Sequence, residues 1–250
     1  MDFNISTYLS FLEALKNQNY EFQTFESFLK NPKEKVVMLR HDVDLKPLNS
    51  LFFARIQAER NIKGTYYFRA VKQSWNENII REIHDLGHEV GYHYECLTTT
   101  KGDYQKAIND FKINLDKLRE LLPVQTICMH GSPLSKFDSK DLWGKYDYRE
   151  MKLIGEPYFN LNFNNVLYLT DTGRTWNNKK ISVRDHVNKN YQFQFNNTKD
   201  IIRTAEERKL PKQIMFNFHP QRWTDKKLEW IKELLFQNIK NQLKKIIVKN

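Results

Sequence analysis

The segment Val36-Val37-Met38-Leu39-Arg40-His41-Asp42-Val43-Asp44 decides how this chain is read. A short apolar run of strand length ends in a cluster of chemically capable side chains. In extended backbone Asp42 and Asp44 project to the same side. Two carboxylates so placed repel one another unless a cation or a shared proton intervenes, so the pair reads as a base beside a metal ligand. The ordinary alternative is a pair of solvated turn aspartates, or helix caps for the segment after Pro47.

Working outward, the pattern recurs. Apolar or β-rich runs at Gly64 to Phe68, Glu89 to Tyr94, Thr126 to Met129, Val166 to Leu169 and Ile214 to Phe218 follow the first. Helical patterns alternate with them near Leu48 to Arg60, Asn78 to Leu86, Tyr104 to Leu122 and Asp200 to Arg208. Strands alternating with helices predict parallel βα units and an α/β fold. Ile5 to Lys30 reads as one or two amphipathic helices, an N-terminal helical extension over about 1–31 that stops at Asn31 and Pro32. Lys140 to Asn197 is the least regular stretch and reads as loops that shape a site. No linker divides the chain, so residues 1–250 are expected to form one domain.

The ends of the runs carry the chemistry, as the C-terminal ends of barrel strands do. In Gly87-His88-Glu89-Val90-Gly91-Tyr92-His93-Tyr94-Glu95 the residues Gly91, His93 and Glu95 share a face. The two histidines lie five apart across a glycine, which excludes a helical zincin motif with its histidines four apart. His88, ahead of the strand, reads as structural, and His93, at its far end, as a metal ligand. His130, Asp171 and His219 finish later runs. His219 is placed to donate a proton to a leaving group and Asp171 to orient it, while Arg174 or Arg222 could hold an anionic substrate or pair with a site carboxylate. Each alone has an ordinary structural reading; together they make a site. His84 and His186 lie away from the strand ends and are read as structural.

Composition limits the alternatives. The 250 residues carry 40 basic against 30 acidic side chains, a formal charge of +10. The lysines are scattered over helical stretches without zinc-finger spacing or an RNA-binding aromatic signature, so no specific nucleic acid is expected. Two cysteines, Cys96 and Cys128, imply no disulfide framework. With no signal-peptide pattern in the first thirty residues and no apolar run of membrane-spanning length, a cytoplasmic location is expected. The tail from about 225 to 249 repeats Trp230, Leu234, Leu235, Ile239, Leu243 and Ile246 at helical spacing among lysines. It reads as a closing helix packed on the barrel, or as a basic amphipathic helix in peripheral contact with an anionic membrane.

In order and content these motifs resemble the polysaccharide deacetylase superfamily, carbohydrate esterase family four, over roughly Val36 to Trp223. The resemblance implies a distorted (β/α) barrel, seven-stranded, with Asp42 as catalytic base and Asp44 as metal ligand. Gly-Thr-Tyr-Tyr-Phe at 64–68 resembles the family's second strand, and Gly-His-Glu-Val-Gly-Tyr-His resembles the approach to its metal histidines, with His93 the first of these. His219 resembles the catalytic acid, and Asp171 with Trp176 the pair that supports it. Where the family has its second metal histidine, this chain has Leu97; Glu95, sharing the face of His93, is the preferred substitute, with Cys96 or His130 as alternatives. The family's arginine that steadies the catalytic aspartate is absent from its usual motif, where His130-Gly131-Ser132-Pro133 stands.

By resemblance, the expected activity is metal-dependent removal of an N-acetyl or similar acyl group from a sugar on a nucleotide- or lipid-linked precursor of surface polysaccharide. Zinc suits a mixed histidine and carboxylate site, with manganese, cobalt or nickel as alternatives. His130, Arg174, Trp176, Arg222 and Trp223 are the expected substrate-binding residues. The rival readings are a hydrolase of another C–N bond, such as a cyclic amide, and a silent sugar-binding or assembly protein. Oligomeric state is left open.

Overall fold

The computed structural model describes residues 1–132, 135–176, 187 and 193–247; His186 and Pro133 lie outside them. In chain order the elements are α1 (Ile5–Asn17), β1 (Glu21–Gln23), α2 (Phe25–Lys30), β2 (Val36–Val43), α3 (Pro47–Ala58), β3 (Thr65–Phe68), α4 (Glu77–Asp85), β4 (Glu89–Tyr94), α5 (Cys96–Thr99), α6 (Tyr104–Arg119), β5 (Ile127–Met129), α7 (Pro157–Asn160), β6 (Val166–Thr170), α8 (Thr198–Glu206), β7 (Gln213–Phe218) and α9 (Lys227–Ile247). The expected strands and helices are present within a few residues. One correction concerns the N-terminal stretch, which is not wholly helical. Glu21 to Gln23 is a strand too short to show a period, and pairing with Val36 to Met38 creates it.

The sheet has seven parallel strands, in the order β5, β4, β3, β2, β7, β6, with β1 beside β2. β1 and β3 share one edge of β2, β1 along Val36 to Met38 and β3 along Arg40 to Val43. β7 takes the other edge, from Val36 to His41. Buried on both faces, β2 is covered by helices outside and by a filled barrel inside, which is why its sequence runs apolar without alternation. Among the described residues β5 and β6 do not pair, so the barrel is open between them. The chain around Gly155 to Tyr158 stands at that opening: Gly155 bridges Thr126, and Glu156 accepts from the Met129 N–H.

Alternation sorts β2 into two sides. Val37, Leu39 and Val43 join the core under the helices, with Tyr8 and Phe11 of α1, Phe53 of α3 and Phe111 of α6. Val36 and Met38 close the barrel floor with Phe25, Phe28, Val166, Tyr168 and Met215. Higher inside lies a buried polar layer, in which Glu89 accepts from the Thr65 and Thr126 hydroxyls. Tyr67 lies across Gly91, where a Cβ would stand 2.4 Å from the ring and 2.6 Å from the Thr126 carbonyl oxygen. Only glycine lets this ring fill the barrel beneath the strand ends. Arg40, Asp42, His93 and Asn217 are buried above that layer, toward the C-terminal edge.

Candidate metal and catalytic centre

Arg40 and Asp42, two residues apart on one strand face, form a buried bidentate pair, with Nε to Oδ1 at 2.8 Å and Nη2 to Oδ2 at 2.7 Å. Asn217 of β7 donates to Oδ2 at 3.0 Å. Burial alone would raise the Asp42 pKa; the Arg40 guanidinium, together with the His93 and His219 imidazoles, reverses this and holds the carboxyl below its ordinary value. The guanidinium beside Asp42 thus comes from β2 itself. The i, i+2 alternation of Arg40-His41-Asp42, readable in the sequence, puts the two side chains on one face of the strand.

Asp44 follows the strand. Its Oδ2 lies 3.4 Å from the Gln221 side-chain nitrogen, while its buried Oδ1 has no hydrogen-bond partner. That oxygen faces His93 Nε2 at 3.7 Å and His130 Nε2 at 3.4 Å. His93 Nδ1 is committed, donating to the Cys128 carbonyl at 2.9 Å, while His130 Nδ1 lies at ion-pair distance, 3.1 Å, from Glu95 Oε2. Burial pushes the His93 pKa down to about 4 against the pull of Asp42, leaving a neutral ring with its Nε2 lone pair toward Asp44. One carboxylate oxygen and two Nε2 atoms, all within 4.8 Å of one another, are a donor set that fits a divalent cation. Cys128 lies within the same distance of Asp42 and His93 on the barrel side.

Glu95 stands elsewhere than expected. β4 ends at Tyr94 and Glu95 caps α5, so strand alternation no longer aims its side chain. Its two oxygens accept from Arg69 at 2.9 Å each, and its outer contact is His130. Among Asp44, His93 and Glu95, the structure therefore brings together the first two and replaces Glu95 by His130.

Across the cleft, His219 Nδ1 lies 2.6 Å from Asp171 Oδ1, which leaves Nε2 pointing inward, 3.9 Å from Asp42 and 3.8 Å from Asp44. Asp171 is wholly buried and also accepts from the His219 backbone N–H, Arg222 Nη1 at 3.0 Å and Trp223 Nε1 at 2.7 Å. Burial raises its pKa, and His219 with Arg222 more than reverses this.

These contacts correct the expected substrate-binding set. Arg222 and Trp223 hold Asp171 from behind, and Trp223 is buried against Phe53 and Phe218. Trp176 packs on Phe216 and Phe218 and donates to Thr198, on the helix side of the sheet. Arg174 turns from the cleft toward the Trp230 ring, 4.6 Å away. All four serve packing or the Asp171 cradle because the segments after β6 and β7 fold back over the outer core. His130 moves to the cation side.

A parallel α/β half-barrel with acids and histidines gathered at the C-terminal edge of its strands is the class that fold and site define. No protein-family model matches the chain, and no curated protein matches it. Among solved structures, it is similar to a CE4 family pseudoenzyme from Bacillus anthracis, at 14% identity over 84% of this chain with a TM-score of 0.46. It spans 63% of that chain. It is also similar to a polysaccharide deacetylase from Bacillus cereus, at 12% identity, a TM-score of 0.42 and coverage of 83% and 89% of the two chains. A peptidoglycan deacetylase from Bacillus subtilis gives 13%, 0.42, 85% and 86%. These are likenesses of architecture, and the chemistry rests on the chain's own residues.

Proposed function

We propose that this chain is a metal-dependent hydrolase that removes an N-acetyl or similar acyl group from a sugar. The observation that carries the reading is the unpartnered, buried Oδ1 of Asp44 facing the Nε2 atoms of His93 and His130. These three residues would hold the cation, with zinc suited to the donors and manganese, cobalt or nickel as alternatives. A cation there supplies Lewis acidity at the acyl carbonyl and lowers the pKa of water.

Asp42, kept ionised by Arg40, takes the proton of the attacking water. His219, with Nδ1 held by Asp171, presents Nε2 as the acid that protonates the departing amine. Base and acid stand on different strands, β2 and the end of β7, and face each other at 3.9 Å across the strand ends. A nucleotide- or lipid-linked sugar is the proposed substrate class.

Acetate release from acetylated nucleotide and lipid-linked sugars, measured with each of the four metals, tests this. Release should fall about 10²- to 10⁴-fold in His219→Ala, the range of general acid–base catalysis. A protein that binds metal yet releases nothing from any acylated sugar would overturn the reading.

A further inference from the structure

Helix α9 is turned the opposite way from a closing helix. Its inner face is largely polar or aromatic, with Leu234 half-buried among these residues: Gln237 and Asn241 are buried, and Asn241 donates to the Gly173 carbonyl at 2.8 Å. Trp230 donates to the Asp2 carbonyl at 2.6 Å and lies under Arg174. Most of the apolar residues point outward. Leu228, Ile231, Leu235, Phe236, Ile239 and Leu243 are between 39% and 76% exposed. With 3.6 residues per turn they form one stripe along the helix. An apolar stripe of this extent on a surface marks an interaction face.

We infer that this stripe seats the protein on an anionic phospholipid surface. Charge selects this occupant. Between Lys227 and Ile247 the helix holds five lysines against two glutamates, in a chain of net charge +10. A second copy of α9 would bring like charges together, whereas an anionic headgroup layer complements them. Long lysine side chains reach headgroups while apolar neighbours enter the acyl boundary. No described helix is long and apolar enough to cross a membrane, so the contact lies along the surface.

Sedimentation of the full chain with vesicles of phosphatidylcholine alone, or mixed with phosphatidylglycerol, tests this without reference to any catalytic activity. The protein should bind the mixed vesicles selectively and leave them at high salt. Leu235→Glu with Ile239→Glu alters exposed positions only, so its melting temperature should hold while affinity falls roughly tenfold or more. Lys227→Gln with Lys232→Gln should cost about fivefold per lysine. Wild-type protein that ignores the mixed vesicles, or binding indifferent to the apolar double variant, would overturn the inference. So would a dimer in solution, dissolved by that variant, in a protein that binds no vesicles.

Discussion

Arg40→Met removes the guanidinium and leaves Asp42 buried with one remaining side-chain donor, Asn217. Arg40 is 1% exposed and commits two of its nitrogens to Asp42. Breaking one partner of a buried ion pair costs about 3–5 kcal/mol, because the survivor is an uncompensated charge. For a chain of this length that corresponds to roughly 10 °C in melting temperature. Asp42→Asn should cost a similar amount from the other side, by stranding Arg40. The variant carrying both changes has no stranded charge, so it should lose far less than the sum of the two, by at least about 2 kcal/mol. Urea unfolding of the four proteins gives this coupling directly. Costs that add to within about 0.5 kcal/mol would mean that the pair does not hold the centre, and the explanation for the lowered Asp42 pKa would fall with it.

Three further outcomes are expected. Elemental analysis of protein purified without chelator or metal-affinity tag should find metal lost in Asp44→Asn, His93→Ala and His130→Ala, but weakened only about 10- to 100-fold in Glu95→Gln; retention in His130→Ala with complete loss in Glu95→Gln would reverse the two roles. Gly91→Ala should destabilise by about 1–3 kcal/mol through collision with Tyr67 and the Thr126 carbonyl, and a melting temperature equal to wild type would show that the ring has room. Burial raises the Glu156 pKa from its ordinary 4.5 to about 7, so its stabilising contribution is full below the ordinary value and lost as pH rises toward 7, a change of about 3 kcal/mol. The difference in stability between Glu156→Gln and wild type should therefore shift in favour of the variant between pH 5 and pH 8; a constant difference would show that Glu156 titrates normally.

The α/β alternation was legible because burial on a parallel sheet demands apolar runs, and the face that carries the candidate site because side chains alternate along extended backbone. That rule gave Asp42, Asp44 and His93, and it contained Arg40 two residues before Asp42. It failed at Glu95, where the strand had already ended and the carboxylate passed to Arg69. His130 entered the donor set through pairing between strands: His93 lies opposite Cys128, and the His130 N–H donates to the Tyr94 carbonyl.

The sequence by itself determined the order of strands and helices from β2 onward, the inward face of β2 and the helical period of the tail, since each follows from spacing along one stretch of chain. Tertiary structure alone decided which histidine stands beside Asp44, why Arg222 and Trp223 serve Asp171, and which side of α9 meets the barrel. Those outcomes depend on register and packing between segments far apart in the chain, where a shift of one residue turns a side chain to the opposite face.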